Sequence, residues 1–181
     1  MQYIKEEFVR KTSKKEYGFT LIEIIAILVI LGILVAVAVS RSINLNAEVY
    51  TGTDSLKNHL RYAQTMAMNH NPDASGDIIW GVKSANGKYW LFYGANPDNA
   101  SNYIRLPDDE QYIDNDRTIN LSRKKIAVTP FTVFFDNYGI PYSAYSNSTT
   151  NTKLSASLII TVSSGSSSKN ITVTPVTGFI P

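Results

Sequence analysis

The chain has 181 residues, room for one domain with an appendage. It contains no cysteine, which excludes disulfides and thiolate metal sites, and its 44% hydrophobic content is that of an ordinary folded protein. The formal net charge of +2 resides in residues 1–18, where Lys5, Arg10, Lys11, Lys14 and Lys15 oppose Glu6, Glu7 and Glu16. The rest of the chain is formally neutral, so electrostatic binding of nucleic acid by a folded part is disfavoured.

Behind this basic leader, Ile24 to Val39 carry no polar side chain. Phe19–Val39 is 21 residues, which as a helix spans about 31 Å, the thickness of a bilayer's hydrocarbon core. Thr20 and Glu23 fit the S/T-x-x-E capping box and start the helix there. The leader's positive charges, with only Arg41 close behind the span, orient the N-terminus to the cytoplasm and the remainder outside. Three processing schemes compete. A plain single-span anchor leaves Glu23 unexplained, since a carboxylate at the edge of a span is costly. A conventional secretory signal would be cut at Ala36-Val37-Ala38, but its apolar core is normally about 7–15 residues. The third is a cut on the cytoplasmic side, before the apolar helix, which is then retained.

After Val39 the pattern turns amphipathic. Leu45, Val49, Leu56, Leu60, Ala63 and Ala67 recur at helical spacing, and Asn69-His70-Asn71-Pro72 is a stop. One helix from Phe19 to Met68 is predicted, with Gly52 marking a bend and the second half facing a globular head. From Ile78 the signal becomes β. Ile78–Lys83 and Lys88–Tyr93 flank the hairpin turn Ser84-Ala85-Asn86-Gly87. Shorter strands are predicted at Tyr103–Leu106, Thr118–Leu121 and Lys125–Val128, and longer ones at Thr132–Phe135, Leu154–Ser163 and Asn170–Val173. Asn137–Thr152 reads as a mobile polar connection, and Ser163–Ser168 as a turn. The predicted architecture is α+β: a leader (1–18), a membrane and assembly helix (19–39), an amphipathic helix (40–71) and a small, mostly antiparallel β head (72–181).

Chemistry is sparse. His59 and His70 are far from any zinc arrangement and are expected to face solvent. No nucleophile elbow or phosphate loop occurs, so no catalytic residue and no cofactor is assigned. Asp114-x-Asp116-x-Thr118 resembles the start of a calcium loop but has Ile119 and Lys125 where glycine and glutamate belong. Arg123-Lys124-Lys125 is a basic run in the head that could touch DNA. Trp80, Tyr89, Trp90, Phe92 and Tyr93 fit either a core or a ligand surface. The sequons at Asn99, Asn120, Asn147 and Asn170 carry little weight.

Gly18-Phe19-Thr20-Leu21-Ile22-Glu23, running into the apolar helix, resembles the signature of type IV prepilins and type II secretion pseudopilins. The resemblance implies cleavage by a prepilin peptidase after Gly18, methylation of the new N-terminus at Phe19, and a filament-assembly role for Glu23. Gly32 stands where the family often has a glycine that loosens the helix, whereas Ser40 replaces the family's common proline. Phe131-Thr132-Val133-Phe134-Phe135-Asp136-Asn137-Tyr138-Gly139 is similar to the F-x-x-x-G signal of GspH/FimT-type minor subunits. Asn170-Ile171-Thr172-Val173-Thr174-Pro175-Val176-Thr177-Gly178 is similar to their terminal strand and T-G ending. Leu60–Ala67 is similar to their L-x-x-A-R-x-x-A segment, with Gln64 in place of the arginine. The implied partners are prepilin peptidase, major and minor pilin or pseudopilin subunits, an inner-membrane assembly platform with its ATPase, and membrane lipid. A minor structural subunit of a pilus or pseudopilus is expected; a pilus-tip adhesin or DNA-uptake module is the alternative.

Overall fold

The computed structural model describes residues 18–69 and 79–181, and the side chains of all of these except 41–46. The chain divides into two units, Met1–Ser40 and Arg41–Pro181. One helix, α1 (Leu21–Asn69, 49 residues), contributes to both. It continues through Gly52, where the sequence suggested a bend. The glycine serves close packing instead: a Cβ there would lie 2.6 Å from the Ile126 side chain. His70, Asn71, Pro72 and Ile78 lie outside the described residues.

In the second unit, the apolar positions of α1 form a buried stripe. Val49, Leu56, Leu60, Ala63 and Ala67 are all at most 2% exposed, as expected for residues three, four and seven apart on one helical face. Two antiparallel sheets complete the core. The larger contains β1 (Trp80–Ala85), β2 (Lys88–Tyr93), β3 (Tyr103–Ile104), β4 (Ile119–Asn120), β6 (Phe131–Phe135), β7 (Pro141–Tyr145) and β8 (Asn151–Lys153). Its order is β3-β2-β1-β6-β7-β8, with β4 also paired to β2. The smaller has β5 (Ala127–Val128), β9 (Leu158–Ser164) and β10 (Ser167–Val173) in the order β10-β9-β5. Val82, Leu91, Val133, Phe135, Ile160, Val162, Ile171 and Val173 from both sheets join the α1 stripe in one core. A second cluster is built from Ile79, Trp90, Phe92, Phe134 and Tyr142. This is the α+β, pilin-like architecture expected from the sequence.

The β1–β2 hairpin turns on Asn86 (φ 52°) and Gly87 (φ 72°), the two left-handed residues that a two-residue hairpin loop needs. Two expectations are corrected. Asn137–Thr152 is not a loose connection: it holds β7, a turn, and most of β8. The Asp136 carboxylate accepts from the Tyr138 and Ile140 amides and the Tyr142 hydroxyl, all at 2.9 Å, and Asn147 accepts from the Thr149 and Thr150 amides. Polar side chains organise the segment, so its low hydropathy concealed the pairing. Leu154–Ser163 is likewise not one strand. It begins at the end of β8, and only Leu158–Ser164 forms β9.

Candidate functional site

The N-terminal site is assembled from the first turn of α1. Thr20 precedes the helix, and its side-chain oxygen accepts from the Glu23 amide at 3.3 Å. Glu23 reaches back, its Oε2 accepting from the Thr20 amide and hydroxyl at 3.1 Å each. This reciprocal pair is the capping box that the sequence predicted, and it satisfies helix-end amides that would otherwise lack partners. Glu23 also lies at the positive end of the helix dipole. Gly18 precedes the helix and is exposed, and a Cβ added to it would meet nothing within 4 Å. Phe19 is 77% exposed. The Gly18–Phe19 peptide therefore sits in accessible, non-helical chain two residues ahead of α1.

Leu21–Ser40 is 20 residues, long and apolar enough to cross a membrane, and none of its most apolar window is buried within the chain. That distinguishes it from the core helix of a soluble protein, whose apolar side chains would be covered. It fits a single-pass inner-membrane anchor. Gly32 is exposed and a side chain there would meet nothing within 4 Å, so no contact among the described residues requires a glycine. At Ser40, in place of a proline, the hydroxyl bonds the Ala36 carbonyl at 3.0 Å and α1 continues.

In the head, two segments far apart in sequence converge on Gln64. Its amide nitrogen donates to the Gly139 carbonyl at 2.9 Å and the Thr177 carbonyl at 3.1 Å. Gly178 (φ 62°) packs so tightly that a Cβ would lie 2.5 Å from the Gly139 carbonyl oxygen and 2.6 Å from the Gln64 nitrogen. One turn before Gln64, Arg61 donates two bonds, 3.2 and 2.8 Å, to the Ile180 carbonyl, and Ile180 itself enters the core. The Leu60–Ala67, Phe135–Gly139 and Thr177-Gly178 motifs thus form one structural clasp that ties the chain's end to α1.

The acidic and basic loops neutralise each other. Asp114 pairs with Lys88 at 3.0 Å and Arg123 at 2.6 Å, and Asp116 pairs with Lys88 at 3.0 Å. Hydrogen bonds from Lys88 hold the Asp114 carboxyl below its ordinary range. For Asp116, burial pushes upward, but bonds from Thr118 and Lys88 together prevail and lower it. A cation at Asp114 and Asp116 would have to displace two side chains that are already positive. Among the described residues, no group of three or more His, Cys, Asp or Glu side chains could hold a metal ion. The basic run is engaged in the same way: Arg123 with Asp114, Lys124 with Asp109, and Lys125 with Glu48.

His59 is the correction with most consequence. It does not face solvent; it is 1% exposed on the apolar face of α1, with Nδ1 2.9 Å from the Tyr89 hydroxyl. Burial pulls its imidazole down from 6.5 to about 4, against the attraction of Asp109, with Lys124 reinforcing burial. Ser55, Asp109 and Lys124 complete this polar cluster, which sequence reading missed. The available signal was position: His59 directly precedes Leu60 and follows Leu56 by three, inside the apolar stripe. Of the five aromatic residues singled out, Trp80, Tyr89, Trp90 and Phe92 are buried, with the Trp90 nitrogen donating to the Pro97 carbonyl at 2.7 Å. Their role is packing. Tyr93, 36% exposed, lies edge-on to Trp80 at 5.4 Å between ring centres.

No curated protein and no solved structure matches the chain. Residues 13–39 match the family model described as the prokaryotic N-terminal methylation motif, a match that spans Gly18, Phe19, the capping box and the apolar helix and indicates a prepilin of the type IV pilin-like kind.

Proposed function

We propose that the chain is a minor structural subunit of a pilus or type II secretion pseudopilus, processed between Gly18 and Phe19 and N-methylated on Phe19. The observation that carries this reading is Glu23, exposed in a capping box at the mouth of a bare apolar helix. Before cleavage the Phe19 nitrogen is a neutral amide. Afterwards it is an amine with an unperturbed pKa of roughly 8, hence mostly cationic, and methylation keeps the charge. Only Oε2 of Glu23 is used within the capping box, leaving Oε1 for a cation. A neighbouring subunit's amine supplies that cation and fixes axial register as the helices stack, a role for which buried ion pairs are suited. The precursor waits in the inner membrane with its leader in the cytoplasm and its head in the periplasm. Gly32 gives the span flexibility. The clasp at Gln64, Gly139 and Gly178 supports a GspH/FimT-like subunit acting beside other minor subunits, a major subunit, the assembly platform and its ATPase.

Glu23→Gln tests the reading. The variant keeps a capping side chain but lacks the charge, so intact mass should show normal loss of the leader and methylation. Co-purification with sheared filaments should fail. Normal incorporation of the processed variant would refute the role of Glu23; an uncut precursor in the wild type would refute the whole reading.

A further inference from the structure

His59 lies at the centre of a buried polar cluster that none of the assembly functions uses. Its Nε2 is buried and has no hydrogen-bond partner among the described residues. From β2, Tyr89 meets its Nδ1. Ser55, one turn earlier on α1, donates to Asp109. Lys124 donates to Ser55 at 2.8 Å and also to Asp109, and its ammonium lies 5.0 Å from the centre of the Tyr112 ring. The charged groups acting on the imidazole are Asp109 and Asp108, ahead of the 3-10 turn Glu110–Tyr112, and Lys124.

The neutral ring is tolerated here because the unpaired nitrogen carries only a lone pair when Nδ1 donates to Tyr89. A second proton creates a buried N–H⁺ with no acceptor, close enough to Lys124 to be repelled by it. Asp109 is a carboxylate already acting on the ring, but it is shared by Lys124 and Ser55. These bonds connect the 3-10 turn to α1. Asp109 itself stands at φ 66°, and Glu110 and Gln111 are exposed, so of the three residues of the turn only Tyr112 packs against the core. Between it and α1 lies a cleft of about 360 Å³, lined by Glu48, Thr51, Asp109, Tyr112, Lys124 and Lys125 among others.

We propose that His59 is an acid-operated latch: its second proton draws Asp109 away from Lys124 and Ser55, releasing the Glu110–Tyr112 turn from α1 and opening the charged cleft. The sheets stay folded, because their backbone ladders do not include the Glu110–Tyr112 turn. The switch belongs to the head and is independent of cleavage and assembly.

The full chain in lipid nanodiscs, with ¹³C-labelled histidine rings and isoleucine methyls, tests the latch by NMR between pH 7 and pH 3.5. The His59 ring and the Ile113 methyl, just after the released turn, should shift with one shared midpoint well below that of a free imidazole. The Ile160 and Ile171 methyls in the smaller sheet should stay unchanged. In His59→Leu, which cannot take the proton, the Ile113 shift in that window should be lost; His59→Gln is read in the same way should the leucine variant not fold. An Ile113 transition that persists without His59 overturns the proposal. So does simultaneous movement of Ile113, Ile160 and Ile171, which would report global unfolding.

Discussion

Leucines on a single helix meet opposite surroundings in this protein. Leu28, Leu31 and Leu34 are more than half exposed, whereas Leu56 and Leu60 have no exposed surface at all. Both groups exclude water for the same physical reason. The head's leucines find apolar partners within their own chain. Those of the span do not, so lipid or other helices must supply them. Hydrophobicity therefore marks a demand for burial, and only the packing shows whether the chain itself meets that demand.

The largest effects expected should separate the two regions. Leu60→Ala leaves a cavity in the head's main core, where Leu60 is fully buried, and should cost the head about 3 kcal/mol. Leu31→Ala should leave the head's thermal transition unmoved; calorimetry of both variants in micelles checks the pair. A drop in head stability from Leu31→Ala would break the comparison. Gly178→Ala combines a left-handed backbone with a Cβ 2.5 Å from the Gly139 carbonyl oxygen, and should cost roughly 2–3 kcal/mol. Weaker loss in urea melts would mean that the clasp is loose.

Acid sharpens the contrast further, because the titratable cluster belongs to the head. The His59 pKa is lowered from 6.5 to about 4 on folding. Its contribution is therefore complete above pH 6.5, falls as the pH drops from there to about 4, and is then exhausted. The loss should reach about 3 kcal/mol and be abolished in His59→Leu, as read from melts across that range. Asp109 adds a separate loss at lower pH. Burial would raise its carboxyl, but bonds from Lys124 and Ser55 outweigh burial and hold it below its ordinary value. The smallest effect is a gain. Val176 is 72% exposed yet stands at φ 69°, a strained geometry for a β-branched residue. Val176→Asn should raise stability by about 1 kcal/mol.

The local elements were legible because their causes are local. Thr20 and Glu23 are three apart, so a capping box follows from spacing alone. Asn86-Gly87 between apolar runs specifies a two-residue hairpin loop through backbone preference. The β7–β8 hairpin was hidden because Asp136 and Asn147 organise it through side-chain bonds to backbone amides, which hydropathy does not register. His59 was misread because a single polar residue on an apolar face gives no sign of the hydroxyl awaiting it on β2.

By itself the sequence determined the apolar helix, its cap, its boundary with the amphipathic stretch and the α+β class, since each depends on residues within a few positions of one another. Only the tertiary structure decided that Gln64, Gly139 and Gly178 meet, that the Asp114 and Lys124 loops are neutralised, and that His59 is buried. Those outcomes depend on which distant strands fold back over α1, and burial changes the energy of a charge far more than its sequence neighbours do.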